Sequence, residues 1–85
     1  MISETIKARL EDKNIRHWAG DNISEVLQEG DKEKLIQELT PKFEAVLDGL
    51  VIDRFNDPNS MDTGRRLAKM YINELMAGRY NPMPN

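Results

Sequence analysis

Apolar residues recur along the chain at the three- and four-residue intervals of amphipathic helices, and polar segments separate the repeats. The longest repeat spans residues 31–50, keeps one helical phase, and has Asp31 placed to cap its start. Pro41 lies in its middle and removes one backbone hydrogen bond. The unbroken phase favours one kinked helix over two helices, of which Thr40 would cap the second. The apolar positions of this repeat are Leu35, Ile36, Leu39, Phe43, Val46, Leu47 and Leu50.

A second repeat spans residues 63–77, and both of its ends are marked. Thr63 can cap the start, and Gly78 stands where a left-handed residue often follows a helix. The apolar face is wide, and a helix with so wide a face usually packs against two partners. Either the chain's own core covers the whole face, or part of it contacts another subunit or domain. The residues expected to form this interaction surface are Leu67, Met70, Tyr71, Ile72, Leu75 and Met76.

The remaining segments predict shorter elements. Ser3 can cap a helix over residues 3–12, in which apolar residues fall four apart. Asp21 or Asn22 can cap a brief helix over residues 22–29, which Gly30 ends, and two prolines favour an extended tail over residues 79–85. No run alternates strictly enough to predict a strand. We therefore expect one all-α domain over residues 1–85, in which the helix of residues 31–50 and the helix of residues 63–77 pack as an antiparallel hairpin.

Composition narrows the function classes. The chain has 12 Lys and Arg against 15 Asp and Glu, for a net charge of −3. This balance argues against a nucleic-acid partner, because phosphate contacts need clustered cations. No apolar run reaches the roughly 18 residues that span a bilayer, and the N-terminus lacks the apolar core of a secretory signal. We expect a cytoplasmic protein with no membrane partner.

Candidate chemistry is sparse. Arg65 and Arg66 form a guanidinium pair at the start of a predicted helix, where it could contact a carboxylate or phosphate ligand. The simpler interpretation is that Asp62, or carboxylates of a neighbouring helix, hold the pair. His17 is the single histidine and the chain has no cysteine, whereas zinc needs three or four ligands. We predict no catalytic, cofactor-binding or metal-binding residue in the chain.

Residues 63–78 also resemble a family signature. GTP cyclohydrolase I enzymes carry a helix of the form Thr-Pro-x-Arg-x-Ala-x-Met-aromatic-x-x-Glu-apolar-x-x-Gly. The chain departs from this form at Gly64, where the family usually has proline. The resemblance is strongest over residues 61–84 and extends more loosely back to about residue 31. The matching positions are Thr63, Arg66, Ala68, Met70, Tyr71, Glu74, Leu75 and Gly78.

The resemblance implies kinship with a zinc enzyme that opens the guanine ring of GTP and yields dihydroneopterin triphosphate, a pterin of folate and biopterin synthesis. In that family two cysteines and a histidine hold the zinc, and they lie in a catalytic domain that follows the glycine corresponding to Gly78. The chain has no cysteine, so none of these roles can be transferred to it. The resemblance thus implies an N-terminal helical region that serves assembly, is inactive alone, and associates with further copies or with its catalytic domain. A free-standing helical module that binds another protein, as an inhibitor or adaptor, is the alternative.

Overall fold

The computed structural model describes residues 1–83, and these are helical without a strand. The all-α prediction is therefore confirmed. The helices are α1 (Ile2–Asp12), α2 (Asp31–Gly49), α3 (Thr63–Met70) and the four-residue α4 (Ala77–Tyr80). A 3-10 turn covers Ser24–Val26, and a π-helical turn covers Tyr71–Leu75 between α3 and α4. In the described residues no helix is both long enough and apolar enough to cross a membrane.

The hydrophobic core lies at one end of the molecule. It joins α1, the 3-10 turn, the first half of α2, and the segment formed by α3 and the π turn. Ile72 is buried at its centre with 1% of its surface exposed, and Leu10 with 2%. The buried members are Ile6, Leu10, Ile23, Val26, Leu35, Ile36, Ala68 and Ile72.

Helix α2 runs through Pro41 without interruption, so one helix forms here and not two. The Thr40 hydroxyl donates to the carbonyl oxygen of Ile36 at 2.7 Å, one turn back. Thr40 is therefore an interior residue of α2 and not the cap of a second helix. Because α2 is continuous, its apolar side extends beyond the core to residue 49.

The end of α2 is closed by a left-handed valine. Val51 has φ 63°, and its N–H donates to the carbonyl oxygen of Asp48 at 3.0 Å. The N–H of Ile52 donates to the carbonyl oxygen of Leu47 at 3.1 Å. These two bonds form the Schellman arrangement, in which glycine usually supplies the left-handed residue. A β-branched side chain in this conformation is strained, since the left-handed region costs an L-residue about 1–2 kcal/mol.

Residues 44–62, here called the arm, extend away from the core. They comprise the end of α2 and the loop to α3, and Leu47 is their one buried residue. The molecule measures 45 × 26 × 22 Å with a radius of gyration of 14.7 Å, against about 12 Å for a compact chain of this length. The arm accounts for this elongation.

Several helix boundaries differ from the sequence prediction. The helix expected over residues 22–29 shrinks to a three-residue 3-10 turn. The helix expected over residues 63–77 changes to a π turn after Met70 and continues as α4 to Tyr80. Gly78 lies inside α4, and the one described glycine with positive φ is Gly30, so the assignment of Gly78 as a left-handed terminator was wrong. The extended tail accordingly begins after Tyr80, and its last residues, 84 and 85, lie outside the described part.

The predicted caps act differently from expectation. Ser3 lies within the first turn of α1, and its N–H and hydroxyl both donate to the Glu38 carboxylate on α2. Thr63 is the first residue of α3, and its hydroxyl donates backwards to the carbonyl oxygen of Asn59 at 3.0 Å. Neither side chain accepts a bond from a backbone N–H of its own helix, so neither acts as an N-cap.

Candidate functional site

Helix α3 lies against α2 through two residues with little or no side chain. A Cβ on Gly64 would lie 2.6 Å from Cγ of Glu44 and 3.2 Å from the carbonyl oxygen of Thr40. Ala68, one turn later on the same face, is fully buried. Small residues four apart let two helix backbones approach closely. Gly64, the departure from the family signature, is thus the residue that this contact requires.

The side of α3 next to this contact faces solvent. Tyr71 stacks on Phe43 of α2, with ring centroids 5.1 Å apart. Leu67 and Leu75 lie one turn before and after Tyr71, and Val46 and Leu50 follow Phe43 at three- and four-residue steps. Apolar side chains of both helices therefore share one side of the pair. We call this surface the apolar face; its members are Phe43, Val46, Leu50, Val51, Leu67, Tyr71 and Leu75.

The apolar face is largely uncovered. Val46 is 54% exposed, Leu50 64%, Leu75 60%, and the strained Val51 91%. Phe43 and Leu67 are half-buried, and Tyr71 is exposed. A concentration of exposed apolar side chains on one side of a small domain marks an interaction site.

The structure divides the six residues predicted to form the interaction surface. Tyr71 and Leu75 lie on the apolar face and are exposed, and Leu67 contributes from a half-buried position. Met70 and Met76 are half-buried. Ile72 belongs to the core, so its assignment to an interaction surface was wrong: the close approach at Gly64 and Ala68 turns Ile72 inward.

Sequence reasoning missed the contribution of α2. Val46 and Leu50 continue the helical phase of the buried Leu35 and Ile36, and the pattern alone assigns all four to one covered side. The available signal was the length of the repeat, because a 19-residue helix spans about 28 Å, more than the core of so short a chain can cover.

The two predicted anion-binding arginines point to different partners. Arg65 forms an exposed ion pair with Glu33 of α2 at 3.4 Å. Arg66 donates to the carbonyl oxygen of Asn59 at 3.1 Å and to the Thr63 hydroxyl at 3.3 Å. The guanidinium groups do not converge on one ligand position. A carboxylate of a neighbouring helix holds Arg65, as the simpler interpretation expected. Within residues 1–83 the Asp62 carboxylate binds neither guanidinium group, and Asp62 contacts Arg66 through its backbone carbonyl oxygen, which accepts the Arg66 N–H at 3.1 Å.

Buried charge is concentrated at the core end, where it ties helices together. Arg9 of α1 donates to Asp31 of α2 at 2.6 Å and to the carbonyl oxygen of Val26 at 3.1 Å. The backbone N–H of Gln28, helped by Arg9 and opposed by burial, holds the pKa of Asp31 below its usual range. Burial works to raise the pKa of Glu38, but hydrogen bonds from Ser3 and Lys42 outweigh it and leave that pKa lowered. Each carboxylate is occupied by partners of its own chain, which makes both structural groups.

The described residues bring no group of zinc ligands together. His17 is the single histidine, no cysteine is present, and across residues 1–83 no three metal-ligating side chains are grouped closely enough to hold an ion. The Nδ1 atom of His17 lies 3.3 Å from the carbonyl oxygen of Ile15, within its own loop.

Comparisons with protein-family models, with curated proteins and with solved structures found no match to this chain. The apolar face and the residues of α3 are therefore the features of the molecule that bear on its function.

Proposed function

We propose that the chain is a helical assembly unit: it presents the apolar face to another protein surface, and it belongs to a GTP cyclohydrolase I-like enzyme as its N-terminal helical region. The observation that carries the assembly role is the exposure of apolar side chains from two helices on one side of the α2–α3 pair. The resemblance over residues 63–78 supports the kinship.

The packing of the signature residues agrees with a structural role. Ala68 is buried at the contact with α2, and Tyr71 stacks on Phe43. Glu74 is exposed, and Arg66 binds groups of its own chain. None of these residues forms a constellation of nucleophile, base and ligand, so we assign the chain a part in assembly and leave the chemistry to a catalytic domain.

The coding sequence beyond the codon for Asn85 tests the kinship directly. We expect it to read into a strand and then into a domain that carries the zinc-binding cysteines and histidine. A protein including that domain should turn over GTP, while residues 1–85 alone should neither turn over GTP nor bind stoichiometric zinc. A stop codon directly after the codon for Asn85 would contradict the proposed kinship.

A free-standing protein-binding module is the second candidate, and Val51 favours it. The chain keeps a strained valine almost fully exposed where glycine would fit more easily. That cost is understandable if the side chain contacts a partner, whether or not a catalytic domain follows. A stop codon after Asn85, together with a partner that requires Val51, would favour this candidate over the first.

A further inference from the structure

We propose that a cavity between α1, the segment of residues 17–23, α2 and α4 binds a small aromatic carboxylate, with its ring among buried aliphatic side chains and its charged group at the mouth. The cavity lies at the core end of the molecule and shares no residue with the apolar face. Its volume, the chemistry of its lining and the pairing of its cations support this assignment.

The inner wall of the cavity is aliphatic. Ile6 and Leu10 of α1 form it together with Ile23 and with Leu35 of α2, and all four residues are buried. The cavity has a volume of about 160 Å³. An apolar cavity of roughly 150 Å³ can take up one benzene ring. The inner part therefore fits a single ring, and it is too small for the extended ligands that fill larger pockets.

Tyr80 of α4 adds an aromatic ring to this wall. It is half-buried and packs against the hydrophobic core. Aromatic rings attract one another in offset and edge-to-face arrangements, and this attraction adds to the burial of apolar area. The wall thus favours an aromatic ligand over an aliphatic one of the same volume.

Cationic side chains lie where the cavity meets solvent. Lys7 of α1 lines it and is exposed, and Arg79 of α4 lines it from a half-buried position. Over residues 1–83 neither cation has a carboxylate within ion-pair distance. Arg79 donates to three backbone carbonyl oxygens, which are uncharged, so its positive charge is not neutralised. A cleft with cations of this kind at its mouth attracts an anionic group.

The described residues that line the cavity include no acidic side chain. Ser3, another lining residue, donates its N–H and its hydroxyl to the Glu38 carboxylate, which Lys42 also approaches at 3.3 Å. That carboxylate is therefore already paired within the chain. A ligand with an ammonium group would find no unpaired anion here and would be repelled by Lys7 and Arg79. The lining thus selects a carboxylate over an amine that has the same ring.

A bound ligand would contact α1, α4 and the segment of residues 17–23 at the same time. Arg79 already connects two of these elements through its bonds to the carbonyl oxygens of His17, Trp18 and Asp21. Occupation of the cavity would strengthen this connection, because a ligand that binds the folded state alone stabilises it. Ligand binding should therefore be visible as a rise in the temperature of thermal unfolding.

Three probes that share one ring and differ in charge test the site: benzoate, benzyl alcohol and benzylamine. Isothermal titration calorimetry of the full chain at low salt should give a dissociation constant on the order of 1 mM for benzoate. The value for benzyl alcohol should be at least about fivefold higher, because it lacks the charge that the cations attract. Benzylamine should show no measurable binding, and benzoate alone should raise the temperature of unfolding.

Lys7→Glu is the selective variant, and Lys69→Glu is its matched control. Both lysines are exposed and without an ion pair over residues 1–83, so circular dichroism of each variant should match that of the wild type. Lys69 lies on α3 and does not line the cavity. Benzoate should bind the control as it binds the wild type, whereas Lys7→Glu should raise its dissociation constant at least about threefold.

Nuclear magnetic resonance of the methyl groups locates the bound ring. Benzoate should shift the resonances of Ile6, Leu10 and Leu35, and leave those of Val46 and Leu50 on the apolar face unchanged. Shifts confined to the apolar face would overturn the assignment. So would the absence of benzoate binding at about 10 mM, equal binding of benzoate and benzyl alcohol, or equal affinities of Lys7→Glu and Lys69→Glu. These outcomes are separable from the proposed kinship, which the coding sequence beyond the codon for Asn85 tests on its own.

Discussion

The two halves of α2 carry the same apolar pattern and have opposite surroundings. In the first half Leu35 and Ile36 are buried against α1 and the end of α3, whereas in the second half Val46 and Leu50 are more than half exposed. Helical phase specifies which residues share a side, and the length of the neighbouring elements decides whether that side is covered. The second half of α2 therefore continues the apolar side that the core covers in the first half, but leaves Val46 and Leu50 uncovered.

Polar contacts differ between the two ends in the same way. At the core end Asp31 and Glu38 bind residues of α1, far away in the sequence. In the arm Asp48 pairs with Arg54 at 2.7 Å, six residues later, and Arg54 also stacks over Phe55 at 4.5 Å. The core end thus depends on tertiary packing. Local hydrogen bonds and ion pairs define the conformation of the arm, so the arm can keep this conformation without another element packed against it.

The largest expected effect tests this difference directly. Ile72→Ala should lower the free energy of unfolding by about 2–5 kcal/mol, because it leaves a cavity in the core. Leu50→Ala in the arm should change it by less than about 0.5 kcal/mol, as is usual for an exposed site. Urea denaturation of both variants and the wild type at one protein concentration measures both values. Equal costs at the two sites would mean that the arm is part of the core.

Asp31→Asn should cost about 2 kcal/mol at pH 7, because it removes the charged partner of Arg9 in a buried pair. The folded pKa of Asp31 lies below the unfolded value of about 3.9. Its contribution to stability is therefore present in full above that value and lost as the pH falls through the folded pKa. Unfolding curves from pH 7 to pH 2 should show a shallower decline for the variant than for the wild type.

The matched control for Asp31 is Glu25→Gln. It removes an exposed ion pair in which the Lys13 Nζ and the Glu25 carboxylate are 3.9 Å apart, and exposed pairs of this kind contribute little. A cost for Glu25→Gln as large as that for Asp31→Asn would contradict the distinction between buried and exposed charge.

Gly64→Ala should destabilise the chain by about 1–2 kcal/mol, because the new methyl group overlaps Glu44 and approaches the backbone of Thr40. Gly78→Ala is the matched control: a Cβ there meets open space and the position is helical, so a gain of about 0.5–1 kcal/mol is expected. Adding Glu44→Ala to Gly64→Ala should recover part of the loss. Thermal unfolding of the four chains would show whether the α2–α3 contact is as close as described.

The smallest expected change concerns Val51. Val51→Gly should raise the free energy of unfolding by up to about 1 kcal/mol, since it relieves the left-handed strain. The same variant should weaken association of the chain with the protein surface that the apolar face contacts, as measured by isothermal titration calorimetry once that partner is in hand, because it deletes an exposed member of the face. Opposite signs for stability and association would show that the strain serves a contact. If association is unchanged, Val51 has no part in the interface.

Local patterns were sufficient to predict the all-α class and the positions of α1, α2 and the start of α3. They were insufficient where distant residues decide the structure. Arg79 donates to the carbonyl oxygens of His17, Trp18 and Asp21, and the N–H of Ile23 donates back to the carbonyl oxygen of Arg79 at 2.7 Å. These bonds connect residues more than 55 positions apart and hold α4 in place, which no local pattern around Gly78 could indicate.

The candidate surface was partly predictable for the same reason. Tyr71 and Leu75 could be named from the width of one helix face, because that width is a local property. Val46 and Leu50 could not, because their exposure depends on how far α3 extends along α2.

The π turn has a consequence for how this chain tolerates change. The N–H of Met76 donates to the carbonyl oxygen of Tyr71 at 2.8 Å, a five-residue step that accommodates one residue more than an α-helical turn. Deleting one residue within this turn would convert it to an α-helical turn and leave the residues that follow in nearly the same orientation, because five π-helical residues turn through about the angle of four α-helical ones. Arg79 would then still reach the loop of residues 17–21, whereas inserting one further residue would rotate everything that follows by about 100°. The turn is thus a position at which the chain can lose a residue but cannot gain another.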